Sequence, residues 1–162
     1  MTPAGVQIST ATDTNIVLTR KFNAPRQLVW ESMLTPDRMR RWMLPPPGWT
    51  TTDCYVDLRV GGALKIAWKN QEADPFMTLE GVFTEVKPYE RAVHTEKMTL
   101  ASGQVIGSQI ETHEYSEKDG ITTMRITQVF ESKEARDGAL ESGAEGMECG
   151  YQRLDDLLAS LA

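Results

Sequence analysis

The feature that most constrains the fold is a change of hydrophobic period along the chain. From Trp49 to Phe130 the apolar and β-branched residues fall into short runs separated by turn signals, and after Ser132 the period becomes helical. Strands are expected near 50–58, 62–69, 76–86, 91–99, 107–116 and 121–131. The breaks between them are Gly61-Gly62, Asn70 to Pro75, Lys87-Pro88-Tyr89-Glu90, Ala101-Ser102-Gly103 and Lys118-Asp119-Gly120. Connections this short make an antiparallel meander. The last segment carries Met147, Tyr151, Leu154, Leu158 and Leu161 as a single apolar stripe. A shorter helix over Lys133 to Glu141 is expected before it, with an interruption near Gly143. The stripe must be buried, and the sheet is the only apolar surface large enough, so the chain reads as an α+β domain.

Ahead of the meander, Asn15 to Phe22 is apolar enough for a first strand. Two helix starts follow. At Ala24-Pro25 the proline precedes Leu28, Val29, Met33 and Leu34 at helical spacing. At Thr35-Pro36-Asp37 a hydroxyl cap, a first-position proline and an acid coincide. The second helix ends before Pro45-Pro46-Pro47-Gly48, read as a rigid connector with Trp49 packed beneath it. Residues 1–13 lack periodicity and read as a loose tail, leaving 14–162 as one domain.

A formal charge of −6 and a pI near 5.0 argue against nucleic acid as a partner, since phosphate binding needs clustered Lys and Arg. The Arg38-Met39-Arg40-Arg41 run reads as a solvated helix face. No apolar run approaches the ~18 residues of a membrane span, and the first residues lack signal-peptide order, so a cytoplasmic location is expected. Cys54 and Cys149 have no metal-type spacing and read as free thiols.

Strand pairing indicates which side chains face inward. Tight turns set Phe83 opposite His94, Gly81 opposite Glu96, Leu79 opposite Met98, Trp68 opposite Met77 and Ile66 opposite Leu79. They also set His94 opposite Glu111, Glu96 opposite Gln109, His113 opposite Met124 and Glu111 opposite Ile126. Because side chains alternate, these residues share the helix-facing side with Leu64, Met98 and Phe130. Two histidines, two glutamates and a glutamine thus point into an otherwise apolar interior. There they must be paired, hydrated or bound to something.

Four stretches in register resemble a known family. They are Arg20-x-Phe22-x-Ala24-Pro25-x-x-x-Val29-Trp30 with Thr35-Pro36 and Trp42; Asp57-Leu58-Arg59-Val60-Gly61-Gly62; Gly81 to Arg91; and the tail from Ala135-Arg136-Asp137 to Leu158. Together they are similar to the activator of Hsp90 ATPase homologue 1-like branch of the SRPBCC (START and Bet v 1-like) superfamily. The resemblance implies a START-like helix-grip fold. Its curved antiparallel sheet wraps a long C-terminal helix, with two short helices after the first strand and a hydrophobic cavity between sheet and terminal helix. It implies no universal catalytic residue, and it makes Arg59 and Arg91 surface or rim ion pairs. Where the branch usually carries apolar or aromatic residues, this chain has His94, Glu96, Glu111 and His113, and Tyr151 stands where a Trp is common.

Three functions follow as expectations. The first is binding of a small molecule, partly apolar with a polar end. Its ligand-binding residues would be Trp68, Met77, Leu79, Phe83, His94, Glu96, Gln109, Glu111, His113, Met124, Ile126, Met147 and Tyr151. The second is a cyclase- or hydrolase-type enzyme using a His94–Glu111 acid/base pair, the carboxylate raising the imidazole pKa, with His113 and Tyr151 as further catalytic candidates. The third is an Hsp90 co-chaperone-like interaction module. His94, Glu96, Glu111 and His113 are suitable ligand types for zinc or iron. No sequence-local spacing supports such a site, so no metal and no cofactor is expected. A homodimer is left open.

Overall fold

The computed structural model describes residues 5–43, 45, 48–70 and 76–162. Among them the elements run β1 (Gln7–Ser9), β2 (Asn15–Phe22), α1 (Arg26–Leu34), α2 (Pro36–Trp42) and β3 (Trp49–Val56). The order continues β4 (Ala63–Asn70), β5 (Phe76–Lys87), β6 (Arg91–Leu100), β7 (Val105–Lys118), β8 (Ile121–Phe130) and α3 (Lys133–Leu161). The strands form one open, curved antiparallel sheet in the order β1-β2-β8-β7-β6-β5-β4-β3. The meander is therefore intact from β3 to β8, and β2 returns to pair with β8. The three helices cover one face, with α3 packed on α1, α2, β2 and β8. The turn expected over Asn70 to Pro75 lies largely outside the described residues, as do Pro46 and Pro47 of the connector. No described helix is long and apolar enough to cross a membrane.

The covered face holds the core, with Phe22, Val29, Phe83, Met124 and Leu154 sealed from solvent. The opposite face carries Glu80, Thr84, Thr95, Lys97 and Arg125, all exposed. This is the alternation the sequence dictates for a sheet covered on one side. Arg59 pairs with Asp57, and Arg91 with Glu85 and Glu114, all at the surface.

Several expectations need correcting. Gln7–Ser9, within the segment read as a loose tail, pairs with β2 (Gln7 opposite Thr19), and the Val6 N–H donates to Glu148 at 2.8 Å. The interruption near Gly143 does not occur: α3 is continuous for 29 residues. Its first turn is capped by Ser132, whose hydroxyl accepts from the Ala135 N–H at 3.1 Å. Thr35 caps α2 through its backbone only; its carbonyl accepts from the N–H groups of Arg38 and Met39, while its hydroxyl makes no cap bond.

The last hairpin is displaced by two residues from the expected pairing. His113 lies opposite Ile126 rather than Met124, and Glu111 opposite Gln128 rather than Ile126. The reason is the turn: Asp119 and Gly120 both have positive φ (54° and 76°), so they are its two central residues, and Lys118 pairs with Ile121. A slip of two preserves the faces but changes the neighbours. Replacing Gly120 by alanine should cost about 1 kcal/mol in urea unfolding, because a Cβ strains the left-handed backbone. A variant as stable as the wild type would contradict this.

Elsewhere the pairing agrees with expectation. Phe83 faces His94, Leu79 faces Met98, His94 faces Glu111 and Glu96 faces Gln109. The first of these arises by compensation. The β5–β6 turn is one residue longer than assumed (Lys87 opposite Arg91), and a bulge between Phe83 and Glu85 restores the register.

Candidate functional site

Beneath α2 and α3 lies a pocket of about 300 Å³. One part of its wall is apolar: Leu18, Leu64, Ile66, Leu79 and Ile126 from the sheet, Met33 and Leu34 from α1, Met39 and Trp42 from α2, and Met147 from α3. The other part is polar: His94 and Glu96 from β6, Gln109, Glu111 and His113 from β7, Gln128 from β8 and Tyr151 from α3. The polar set exists because β6, β7 and β8 are adjacent and each presents alternate residues to the same face.

Of the residues singled out from sequence, Leu79, His94, Glu96, Gln109, Glu111, His113, Ile126, Met147 and Tyr151 line this pocket. Phe83 and Met124 do not; they are closed off within the core, and Phe83 instead supports the His94 ring edge-on at 5.3 Å. Trp68 and Met77 also lie off the pocket wall, and the Trp68 indole N–H is buried without a hydrogen-bond partner among the described residues. Sequence reasoning missed Gln128, which alternation with Met124, Ile126 and Phe130 would have placed on the inner face, and the α1 and α2 wall. The helical spacing of Met33 and Leu34 marked them as buried, but not against what.

Most of the polar groups are linked by hydrogen bonds, with His94 packed beside them. Glu111 Oε1 accepts from Gln128 Nε2 at 2.6 Å, and Oε2 accepts from His113 Nε2 at 3.3 Å. His113 Nδ1 meets the Tyr115 hydroxyl at 3.4 Å. His94 Nδ1 lies 3.3 Å from the Thr95 carbonyl, which can only accept. This contact makes Nδ1 the protonated nitrogen and leaves the Nε2 lone pair directed elsewhere. Gln109 Nε2 donates to Glu96 at 3.1 Å, and Glu96 is in turn hydrogen-bonded to Glu111.

These contacts separate the two carboxyls electrostatically. Burial pushes Glu96 up, the Glu111 charge and their shared hydrogen bond push it further, and Gln109 only partly offsets this. Burial alone would also raise Glu111. The His113 hydrogen bond, the two imidazoles and the hydrogen bond with Glu96 outweigh it and hold Glu111 below the usual carboxylate range. The two neighbouring carboxyls are therefore pushed in opposite directions, Glu96 toward its protonated form and Glu111 toward its ionised one. Burial and the His113 ring push His94 down to about 4, against the pull of Glu111 and the Thr95 carbonyl. This corrects the expected His94–Glu111 pair. Their closest approach is 4.0 Å, longer than a hydrogen bond, and the His94 pKa is lowered rather than raised. His113 is the imidazole that bonds Glu111. Tyr151 is held above the ordinary phenol range, chiefly by burial and next by the Glu111 charge.

The two cysteines are free, and burial pushes the Cys54 thiol up, away from a reactive thiolate.

Comparison with solved structures shows the same architecture elsewhere. A protein from Rhodobacter sphaeroides superposes with a TM-score of 0.86 at 26% identity, over 96% of this chain and 99% of that one. One from Arthrobacter aurescens gives 0.81 at 21% identity over 97% and 93%, and one from Nitrosomonas europaea 0.78 at 23% over 95% and 99%. No functionally curated protein matches. The sequence model of Activator of Hsp90 ATPase homolog 1-like protein matches residues 23–159, which takes in α1, α2, the meander and α3 up to its last two residues. This fold and family support, in general terms, a ligand-binding or co-chaperone-like module. By the extent of that match and the architecture it accompanies, the chain belongs to the Activator of Hsp90 ATPase homolog 1-like protein family.

Proposed function

We propose that this protein binds a small molecule in the pocket between sheet and helices, a molecule largely apolar with one oxygenated or cationic end. The observation that carries this reading is the division of the pocket wall. Methionines 33, 39 and 147 with Leu34, Leu79 and Trp42 offer an adaptable apolar surface, and five polar side chains from β6 and β7 converge opposite them. A volume near 300 Å³ matches a compact metabolite rather than a long lipid tail.

The test is a thermal-shift screen against a metabolite library, comparing wild type with Leu79→Trp, whose indole fills the pocket. At a hundredfold excess over Kd a ligand stabilises by about 2.7 kcal/mol. That corresponds to roughly 5–10 °C for a chain of this size. The response should vanish in the folded variant. A shift of equal size in Leu79→Trp would move the ligand out of this pocket.

A second reading, proton-transfer catalysis, is favoured by the opposite shifts of two adjacent carboxyls, Glu96 raised by burial and the Glu111 charge and Glu111 lowered chiefly by His113, a pair suited to acid and base roles. For a ligand found in the screen that is also turned over, Glu96→Gln should retain binding and lose at least about 100-fold in kcat. Unchanged kcat would eliminate Glu96 as the acid.

A further inference from the structure

We propose that His94, Glu111 and His113 form a site for one divalent first-row transition-metal ion, open on the side of the pocket. The inference stands on these three side chains, and it rests on the pocket reading only for the ligand that would complete the coordination. The chain has two histidines in all, and both are here, their ring centroids 5.2 Å apart. One donor atom from each of the three residues lies within 4.8 Å of the others, and all three residues are buried. Metal–ligand bonds of ~2.0–2.1 Å in tetrahedral geometry separate ligand atoms by roughly 3.4 Å. Glu111 Oε2 is 3.3 Å from His113 Nε2 and 4.0 Å from His94 Nε2, so small side-chain rotations bring the set to bonding geometry.

The outer contacts of the three residues strengthen the case. On each, the atom facing away from the cluster is already engaged: His94 Nδ1 by the Thr95 carbonyl, His113 Nδ1 by the Tyr115 hydroxyl, Glu111 Oε1 by Gln128. Metal sites are supported in this way, because the outer hydrogen bond sets the tautomer and aims the free lone pair inward. His94 already has the required tautomer. In the metal-free protein the His113 Nε2–H donates to Glu111, so binding moves that proton to Nδ1, and the Tyr115 hydroxyl changes from donor to acceptor. Two imidazoles and a carboxylate on adjacent antiparallel strands need no sequence-local spacing, because the sheet register brings His94 opposite Glu111. The donor types suit zinc, iron(II) or cobalt(II) and disfavour calcium or magnesium.

The experiment uses tag-free full-length protein stripped with EDTA, titrated with Zn(II) by calorimetry and with Co(II) by visible absorption. One ion per chain is expected, with d–d bands of low-coordinate N,O-bound cobalt. The double substitution His94→Gln, His113→Gln should weaken binding at least about 100-fold, and Tyr115→Phe, which removes only an outer contact, about 10-fold. Wild-type affinity in the folded double variant would overturn the proposal. So would cobalt–thiolate charge-transfer bands, which would assign the ion to cysteine. If the double variant does not fold, imidazole ¹⁵N NMR of the wild type decides: one equivalent of Zn(II) should shift both Nε2 resonances, and unmoved resonances sink the idea. A library compound that stabilises the EDTA-treated protein while Zn(II) fails to bind would leave the pocket reading intact and refute the metal site alone.

Discussion

Replacing Arg20 by methionine is expected to remove about 3 kcal/mol of unfolding free energy, seen as a lower urea midpoint with an unchanged slope. Arg20 sits on β2 and is only 3% exposed, yet its guanidinium carries a full charge. It is held by a fork of contacts to α3: both oxygens of Asp155 at 2.8 Å, and Glu148 at 2.9 and 3.4 Å. It also lies over the rings of Phe22 (4.8 Å) and Tyr151 (5.9 Å). Methionine fills much of the same volume but leaves two partly buried carboxylates facing each other without a cation. The cost is set at the lower end for a broken buried pair because Glu148 and Asp155 keep some solvent contact. An internal control is Arg59→Ala, whose pair with Asp57 is at the surface with the arginine 73% exposed. That change should cost less than about 0.5 kcal/mol.

The same ion cluster predicts acid sensitivity. Burial alone would raise Glu148, but the Arg20 hydrogen bond and the Val6 N–H outweigh it, so the folded pKa lies below the ordinary 4.5. A carboxyl depressed in the folded state contributes stability that is complete above its unfolded pKa and is lost as pH falls through the folded one. Wild-type stability should therefore decline below about pH 4.5 more steeply than that of Arg20→Met, which no longer has the cation. Parallel pH profiles for the two proteins would show that the fork does not set the Glu148 ionisation.

Gly62→Ala is expected to cost a further loss of similar size, about 3 kcal/mol, from a single added methyl group. A Cβ at this position would stand 1.9 Å from the Asp57 carbonyl oxygen and 2.9 Å from its carbon. Neither can retreat. The Asp57 N–H donates to the Ala63 carbonyl at 2.9 Å, and its own carbonyl accepts from Arg59 at 2.9 Å. The turn is also locked to β5, with Gly61 N–H donating to Phe83 and Phe83 N–H donating to Gly62, at 2.8 and 2.9 Å. Phe83 supports His94, so the damage should extend to the polar network. Urea unfolding would measure the first effect, and the His94 imidazole resonance would report the second. A loss under about 1 kcal/mol would mean that the turn yields more easily than its hydrogen bonds indicate.

Much of the architecture was legible because it depends on short-range chemistry. Period-two alternation, turn residues and the stripe through Met147, Tyr151, Leu154 and Leu158 are properties of neighbouring residues, and they dictate strands, breaks and the buried helix face. The inward direction of His94, Glu96, Glu111 and His113 followed from alternation plus turn length, and it survived a two-residue slip in β8 because that slip is even. What escaped was whatever depends on a distant partner. Gly143 reads locally as a helix break, but continuing α3 keeps Glu148 and Asp155 on one surface over Arg20, which lies more than a hundred residues earlier. Gln7–Ser9 has no periodicity of its own and becomes a strand only because β2 offers an unpaired edge. The choice of His113 over His94 as the partner of Glu111 turns on side-chain placement, 3.3 Å against 4.0 Å from Glu111 Oε2. Tyr115, Gln128 and the Thr95 carbonyl set that placement from around the network. Composition and period determined which residues are buried; only tertiary packing decided which of the buried polar groups share a proton, because such bonds form between chain segments that no local pattern relates.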